Sequence, residues 1–250
     1  MTRSAADNLL SPEPILLGIE TAGSRCSVAV AGGGTVLASE SRPLRHGHGE
    51  VLMPMLDRVM TEAKLSPGDL GIVAVATGPG GFTGIRVGLA AAQGIALATR
   101  ARLIGVTGFN AVAHALRREP PSRVNGALLV ALDSRREDLY VQLFAEGFAR
   151  PLASAEAVLP DRLVEYLGAA SARTPLLIAG DAAEPAAAAL EGRIEFEIVP
   201  GSAPDAVGVI AAATATMRAG RADDPVRPLY LRPPDVTVPK PHGMPAAVPP

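Results

Sequence analysis

The chain has no tryptophan, a single cysteine and only 3% aromatic residues in 250. With so few rings, its core must be built from Ala, Val, Leu and Ile. Its 48% hydrophobic content and mean hydropathy of +0.25 are enough for one large domain or two lobes. A lone Cys26 forbids an internal disulfide and suits a reducing, cytoplasmic setting. Its alternating strand context reads as a buried structural thiol rather than a nucleophile. Excess positive charge is also missing: 23 Lys and Arg face 25 Asp and Glu, for a net charge of -2. A protein that grips nucleic acid by itself usually carries a basic stripe, so tight direct RNA binding is not expected. No apolar run reads as long enough to cross a membrane. Residues 1–13 are polar, lack a signal-peptide apolar region and read as a loose extension. Metal-ligand clusters are lacking too. His46 and His48 are expected in a solvent-facing loop, His114 and His242 are remote, and neither a Cys cluster nor a His-Glu-x-x-His helix occurs. Metal is therefore not expected, which argues against a metallopeptidase.

Glycine is what the chain has, concentrated in Gly78-Pro79-Gly80-Gly81-Phe82-Thr83-Gly84-Ile85-Arg86-Val87-Gly88. An apolar run, 71–76, precedes it and an Ala-rich segment follows to about residue 100. The order predicts strand, tight loop and helix, with Thr83 as the helix cap. Two readings of the loop remain open: an anion or nucleotide cradle, and a tight connection that lets a helix pack closely. The spacing fits neither the dinucleotide fingerprint nor a Walker loop. On the following helix, Gly84, Gly88, Ala91 and Ala92 share one face. Two interior glycines cost roughly 1 kcal/mol each relative to Ala, which makes sense if another backbone comes very close. That neighbour is either internal or a second chain; the second option makes Gly88→Leu a block to docking that leaves the fold intact.

The rest of the chain reads as alternating elements. Strands at 15–20, 25–31 and 35–40 form an antiparallel meander. Residues 50–64 form a helix despite Pro54, with Leu52, Met55, Leu56, Val59 and Ala63 on one face and Val51, Met53 and Met60 extending it. Such a helix is either deeply buried or meets a partner. A strand at 103–106 and a helix at 110–118 complete a β-β-β-α-β-α-β-α lobe, an order found in ribonuclease-H-like lobes. The break at 119–122 opens a weaker echo: strands at 127–133, 139–144, 176–179 and 195–199, and helices at 160–167, 181–190 and 205–218. The expected organisation is an N-terminal extension 1–14, a first lobe 15–118, a second lobe 119–222 and a Pro-rich tail 223–250. Whether helix 205–218 packs back on the first lobe is open. The tail should be extended and its last ten residues disordered. The acids around 133–138 are explained by turn chemistry, and no nucleophile–base pair stands out.

Residues 15–30, 46–56, 78–88 and 228–234 together resemble the TsaB (YeaZ) family of bacterial tRNA threonylcarbamoyladenosine biosynthesis proteins. The most specific motif is Gly-Pro-Gly-x-Phe-Thr-Gly-x-Arg-x-Gly. The likeness is strong over about 15–116, thin in the second half, and returns at the tail. It implies an α/β fold of two ribonuclease-H-like lobes, as in the actin, Hsp70 and sugar-kinase superfamily. It also implies a scaffold without catalysis of its own, paired with a TsaD-like transferase subunit and joined by the ATPase TsaE. tRNA is then met only through the complex, and no membrane is involved. Members meet TsaD, and some pair with themselves, through helices matching 50–64 and 83–100. That makes Val51, Leu52, Met55, Leu56, Val59, Gly84, Gly88, Ala91, Ala92 and Ile95 the expected interface. No cofactor is expected on this chain alone, with ATP or ADP an option where subunits meet. Residues near such a nucleotide would be Glu20, Thr21, Gly78, Gly80, Gly81, Thr83 and Arg86. One departure matters. The superfamily opens its first hairpin with an Asp that helps hold metal and phosphate, and this chain has Glu20, which reads equally well as a strand-end acid facing solvent. The competing reading is a self-sufficient ATP-binding enzyme, kinase-like, on the same fold.

Overall fold

A computed structural model describes residues 13–44, 46–118, 126–168, 176–220 and 225–232. Residues 1–12 of the expected extension 1–14, the expected break at 119–122 and the last ten residues of the tail lie outside these. Strands β1 (Ile15–Glu20), β2 (Arg25–Gly32) and β3 (Thr35–Pro43) form the antiparallel meander. Helix α1 (His48–Glu62) follows, then β4 (Leu70–Ala76), α2 (Phe82–Thr99), β5 (Arg102–Val106) and α3 (Gly108–Arg118). β4 pairs in parallel with both β1 and β5, which gives the sheet order β3-β2-β1-β4-β5. The chain then repeats the plan. β6 (Leu128–Asp133), β7 (Leu139–Phe144) and β8 (Glu156–Val158) form a second meander. Helix α4 (Leu163–Leu167), β9 (Leu176–Ala179), α5 (Ala183–Leu190), β10 (Phe196–Ile198) and α6 (Ala206–Arg218) complete it. Its order, β10-β9-β6-β7-β8, is the first sheet's order read from the other edge. The short edge strand β8 carries too few residues to show an alternating pattern, so sequence periodicity misses it.

Burial explains the composition. β1, β2 and β4 are covered on both faces, so they need unbroken runs of small and branched apolar residues. Leu17, Ile19, Val73 and Val75 meet α1 and α2 on the outer face of the first sheet. Leu16, Ala29, Ile72 and Ala74 on the inner face meet Val209, Ile210 and Ala213 of α6. Helix α3, although it follows the first sheet in the chain, packs Phe109, Val112 and Leu116 against Leu128, Val130 and Leu132 of the second. The two central helices are thus exchanged between lobes. α3 and α6 touch where a Cβ on Gly208 would lie 2.6 Å from the Ala111 carbonyl oxygen. The sheets are therefore joined by packed helices rather than by a hinge strand.

Three sequence expectations change here. The helix cap is Gly81, in extended conformation, and Thr83 sits exposed in the first turn without capping. α2 does reach membrane-spanning length, 18 residues at mean hydropathy 1.2. It is nonetheless a sheet-packed helix whose buried side, a third of its length, lies on β4 and β5. The described part of the tail, 225–232, is extended as expected but bound to the body rather than loose. Leu229 donates its amide to the Thr77 carbonyl at 2.8 Å, and Leu229 and Leu231 join the core around α3.

Candidate functional site

Every parallel strand of the first sheet ends at the same side, facing the second lobe. There the β1–β2 turn, the glycine loop, the β6–β7 turn and the start of α5 converge. The glycines serve this convergence. A Cβ on Gly80 would collide with the Ala22 carbonyl, and one on Gly84 with the Thr21 carbonyl. Gly81 donates its amide to Ala22 O at 2.8 Å, and the Thr21 hydroxyl donates to Gly84 O at 2.8 Å. Gly78 adopts a φ of 106°, closed to most side chains. The close-packing reading of this loop is thus the one the geometry supports.

Glu20 is not a solvent-facing strand end: it is 1% exposed. Its Oε1 accepts the amides of Ala22 (2.6 Å) and Gly23 (2.8 Å). Its Oε2 has no partner. Burial, with Asp181 and Asp205 adding like charge, pushes its carboxyl up to about 7, against the pull of the two amides. The methylene that distinguishes Glu from Asp lets the side chain curl back onto its own turn. The hairpin amides that could meet a phosphate are therefore already occupied. Thr21 is likewise buried and turned to Gly84. Among the described residues no three His, Cys, Asp or Glu side chains come together as metal ligands. The first hairpin does not fit a metal–phosphate clamp.

From the second lobe, Arg135 lies over the glycine loop. Its Nη2 donates to Gly23 O at 3.1 Å, and its Nη1 is 3.2 Å from where a Cβ on Gly81 would be. Asp138, which sequence reading leaves as a turn acid, is buried and paired with Arg232 of the tail. Arg86 does not approach this cleft. It covers the Phe82 ring at 3.7 Å and donates to the Tyr230 hydroxyl at 3.3 Å, on the outside of α2. His48 is the first residue of α1 and buried, not a loop histidine, whereas His46 is exposed.

The expected interface divides in two. Leu52, Met55, Leu56 and Val59 of α1 and Gly84, Gly88 and Ala92 of α2 are sealed within their own lobe. A Cβ on Gly88 would collide with the Thr21 hydroxyl, so the close neighbour of this glycine face is internal. Only Val51, Ala91 and Ile95 keep partial exposure. The adjoining face of α2 is more open: Ala90, Gly94 and Ala98 are exposed beside the half-buried Val87, Ala91 and Ile95, and Leu97 is 83% exposed. Gly94 has open space beyond it, and Met53 on α1 is half exposed. Sequence periodicity could not choose between the faces, because α2 is apolar or small on nearly every side.

Comparison with known proteins gives this geometry a family. Residues 42–216 match the family model of TsaD, tRNA N6-adenosine threonylcarbamoyltransferase. The tRNA threonylcarbamoyladenosine biosynthesis protein TsaB of Escherichia coli is 36% identical over 127 residues, 50% of this chain and 52% of that protein. An uncharacterized protein of Mycobacterium tuberculosis is 30% identical over 191 residues, covering 75% of this chain and 76% of its own. YeaZ from Pseudomonas aeruginosa superposes with a TM-score of 0.71 at 24% identity, over 87% of this chain and all of that one. The chain spans about half the length of the TsaB proteins it matches first. The match over residues 42–216 covers more than half of the chain, so the chain belongs to the TsaD-type tRNA N6-adenosine threonylcarbamoyltransferase family.

Proposed function

We propose that this chain is a non-catalytic accessory subunit in tRNA N6-threonylcarbamoyladenosine formation, docking a TsaD-like transferase subunit on the outer face of α1 and α2. The observation that carries the reading is the small-residue stripe of α2, exposed at Ala90, Gly94 and Ala98 and crowned by Leu97. Small residues in a stripe let a second helix come close, and the exposed apolar surface gives association its driving force. The occupied hairpin amides and buried Glu20 support a role other than nucleotide hydrolysis. In this reading TsaE joins through the complex, tRNA is met only there, and ATP or ADP would lie where subunits meet. A second copy of the chain would compete for the same stripe.

The test is size-exclusion chromatography of the purified chain with a TsaD-like subunit at micromolar concentration. Co-elution is expected for the wild type. It should be lost for Gly94→Arg and Leu97→Asp, with native circular dichroism in both and no lowered melting for Gly94→Arg, because neither position touches the core. Co-elution that survives both changes would place the contact elsewhere.

A further inference from the structure

A second recess between the lobes lies away from the cleft, at the end of the molecule where β1 begins and α6 ends. It is a cavity of about 1020 Å³. Its lining comes from α3 and α6, from the β2–β3 turn of the first lobe and from residues 149–151 of the second. Three arginines on three elements take part: Arg117 of α3, Arg150 between β7 and β8, and Arg218 of α6. All three are exposed. Arg42, Arg58, Arg162 and Arg232 each sit on a carboxylate. No carboxylate among the described residues pairs with Arg117, Arg150 or Arg218. Glu13 is the one acid in the described lining. Arg117 donates Nη1 to His114 Nδ1 at 3.3 Å. A guanidinium can only donate, so the imidazole accepts there and holds its proton on Nε2. Leu16, Ile210 and Met217 add apolar surface to the same lining.

Charge and shape choose the occupant. Three guanidiniums in one recess favour an anion. No aromatic ring lines it among the described residues, so nothing there stacks a nucleobase. α3 and α6 both end at the recess, and the last carbonyls of a helix lack intrahelical donors and carry partial negative charge. A phosphate brings dense negative charge to those carbonyls and no N–H to meet them. An acidic peptide brings separated carboxylates for the arginines and backbone N–H groups for the carbonyls. Its apolar side chains can rest on Leu16, Ile210 and Met217. The cavity stands at the upper end of the range of about 300–1,000 Å³ usual for ligand sites, which suits an extended segment better than one small anion. We infer that this recess docks an acidic, partly apolar segment of a partner polypeptide, held by Arg117, Arg150 and Arg218. α6 lies on the inner face of the first sheet, whereas α1 and α2 cover the outer one. The recess therefore stands whether or not a partner docks on α2.

The test titrates the full chain, with residues 1–12, 119–125 and 221–224 that adjoin the rim, against a blocked peptide, Leu-Glu-Glu-Leu-Glu-Glu. Nuclear magnetic resonance follows the histidine side chains. The His114 imidazole signals should shift on saturation while those of His46 and His48 stay in place. The same peptide with Gln for every Glu should leave all of them unmoved. By calorimetry, Arg117→Gln, Arg150→Gln and Arg218→Gln should each weaken binding about threefold, and Arg117→Gln with Arg218→Gln about tenfold. Circular dichroism should stay native in each, because the three side chains are exposed. Unmoved His114 signals, or unchanged affinity in the double variant, overturn the site. Citrate at the same concentration is the second arm. A His114 shift equal to that from the peptide would make the recess a small-anion site and overturn peptide docking.

Discussion

Gly88→Leu is expected to destabilise the first lobe by about 3 kcal/mol or more, combining overpacking with a broken buried hydrogen bond. A side chain there would displace the Thr21 hydroxyl, which donates to Gly84 O at 2.8 Å, and would press on Val75. Neither neighbour can yield cheaply, because Thr21 is fixed by the turn that Glu20 holds and Val75 lies in a central strand. Gly94→Ala on the same helix is the counterpart. Its Cβ would meet nothing within 4 Å. Removing glycine's extra chain freedom should therefore stabilise the protein by about 0.5–1 kcal/mol. Urea unfolding of both variants checks the contrast. Equal midpoints would mean that the glycine face does not pack on Thr21. This outcome also reverses the expectation from sequence that Gly88→Leu would spare the fold and stop only docking.

Glu20→Gln should flatten much of the dependence of stability on pH. Burial pushes the Glu20 carboxyl up to about 7 in the folded protein, against its ordinary 4.5. Between those values the folded state holds a proton that the unfolded state has lost. Stability from this group is therefore fully present below about 4.5, declines as pH rises to about 7, and is level above that. A displacement of this size corresponds to about 3 kcal/mol. Glutamine keeps an oxygen to accept the Ala22 and Gly23 amides and carries no charge. The stability gained by the variant over the wild type should thus grow between pH 5 and 8. A difference that stays constant over this range would show that Glu20 is not held neutral by its surroundings.

Much of the fold was legible because its signals are local. The apolar runs of β1 and β4 and the turns around Gly33 and Gly34 all lie within a few residues of the structure they specify. The glycine loop was legible as a loop, and the motif at 228–234 as important, but not as a strap. The hydrogen bond from Leu229 to Thr77 and the pairing of Arg232 with Asp138 join positions far apart in the chain. His48 reads in the sequence as a solvent-facing loop histidine, and Arg135 sits in an ordinary turn that carries no signal. Arg135 meets Gly23 and Gly81 only once the two lobes face each other.

The sequence by itself determined the two-lobed α/β plan, the order of nearly every element and the family, through hydrophobic period, turn chemistry and motif. Tertiary structure alone decided which face of α2 is buried, that α3 and α6 trade sheets, and that Glu20 is enclosed. The physical reason is contrast. A helix made of Gly, Ala and Val presents similar surfaces on every side, so only the shape of what it packs against selects the inner one. A carboxylate's environment is likewise set by the elements that close over it, not by its neighbours in the chain.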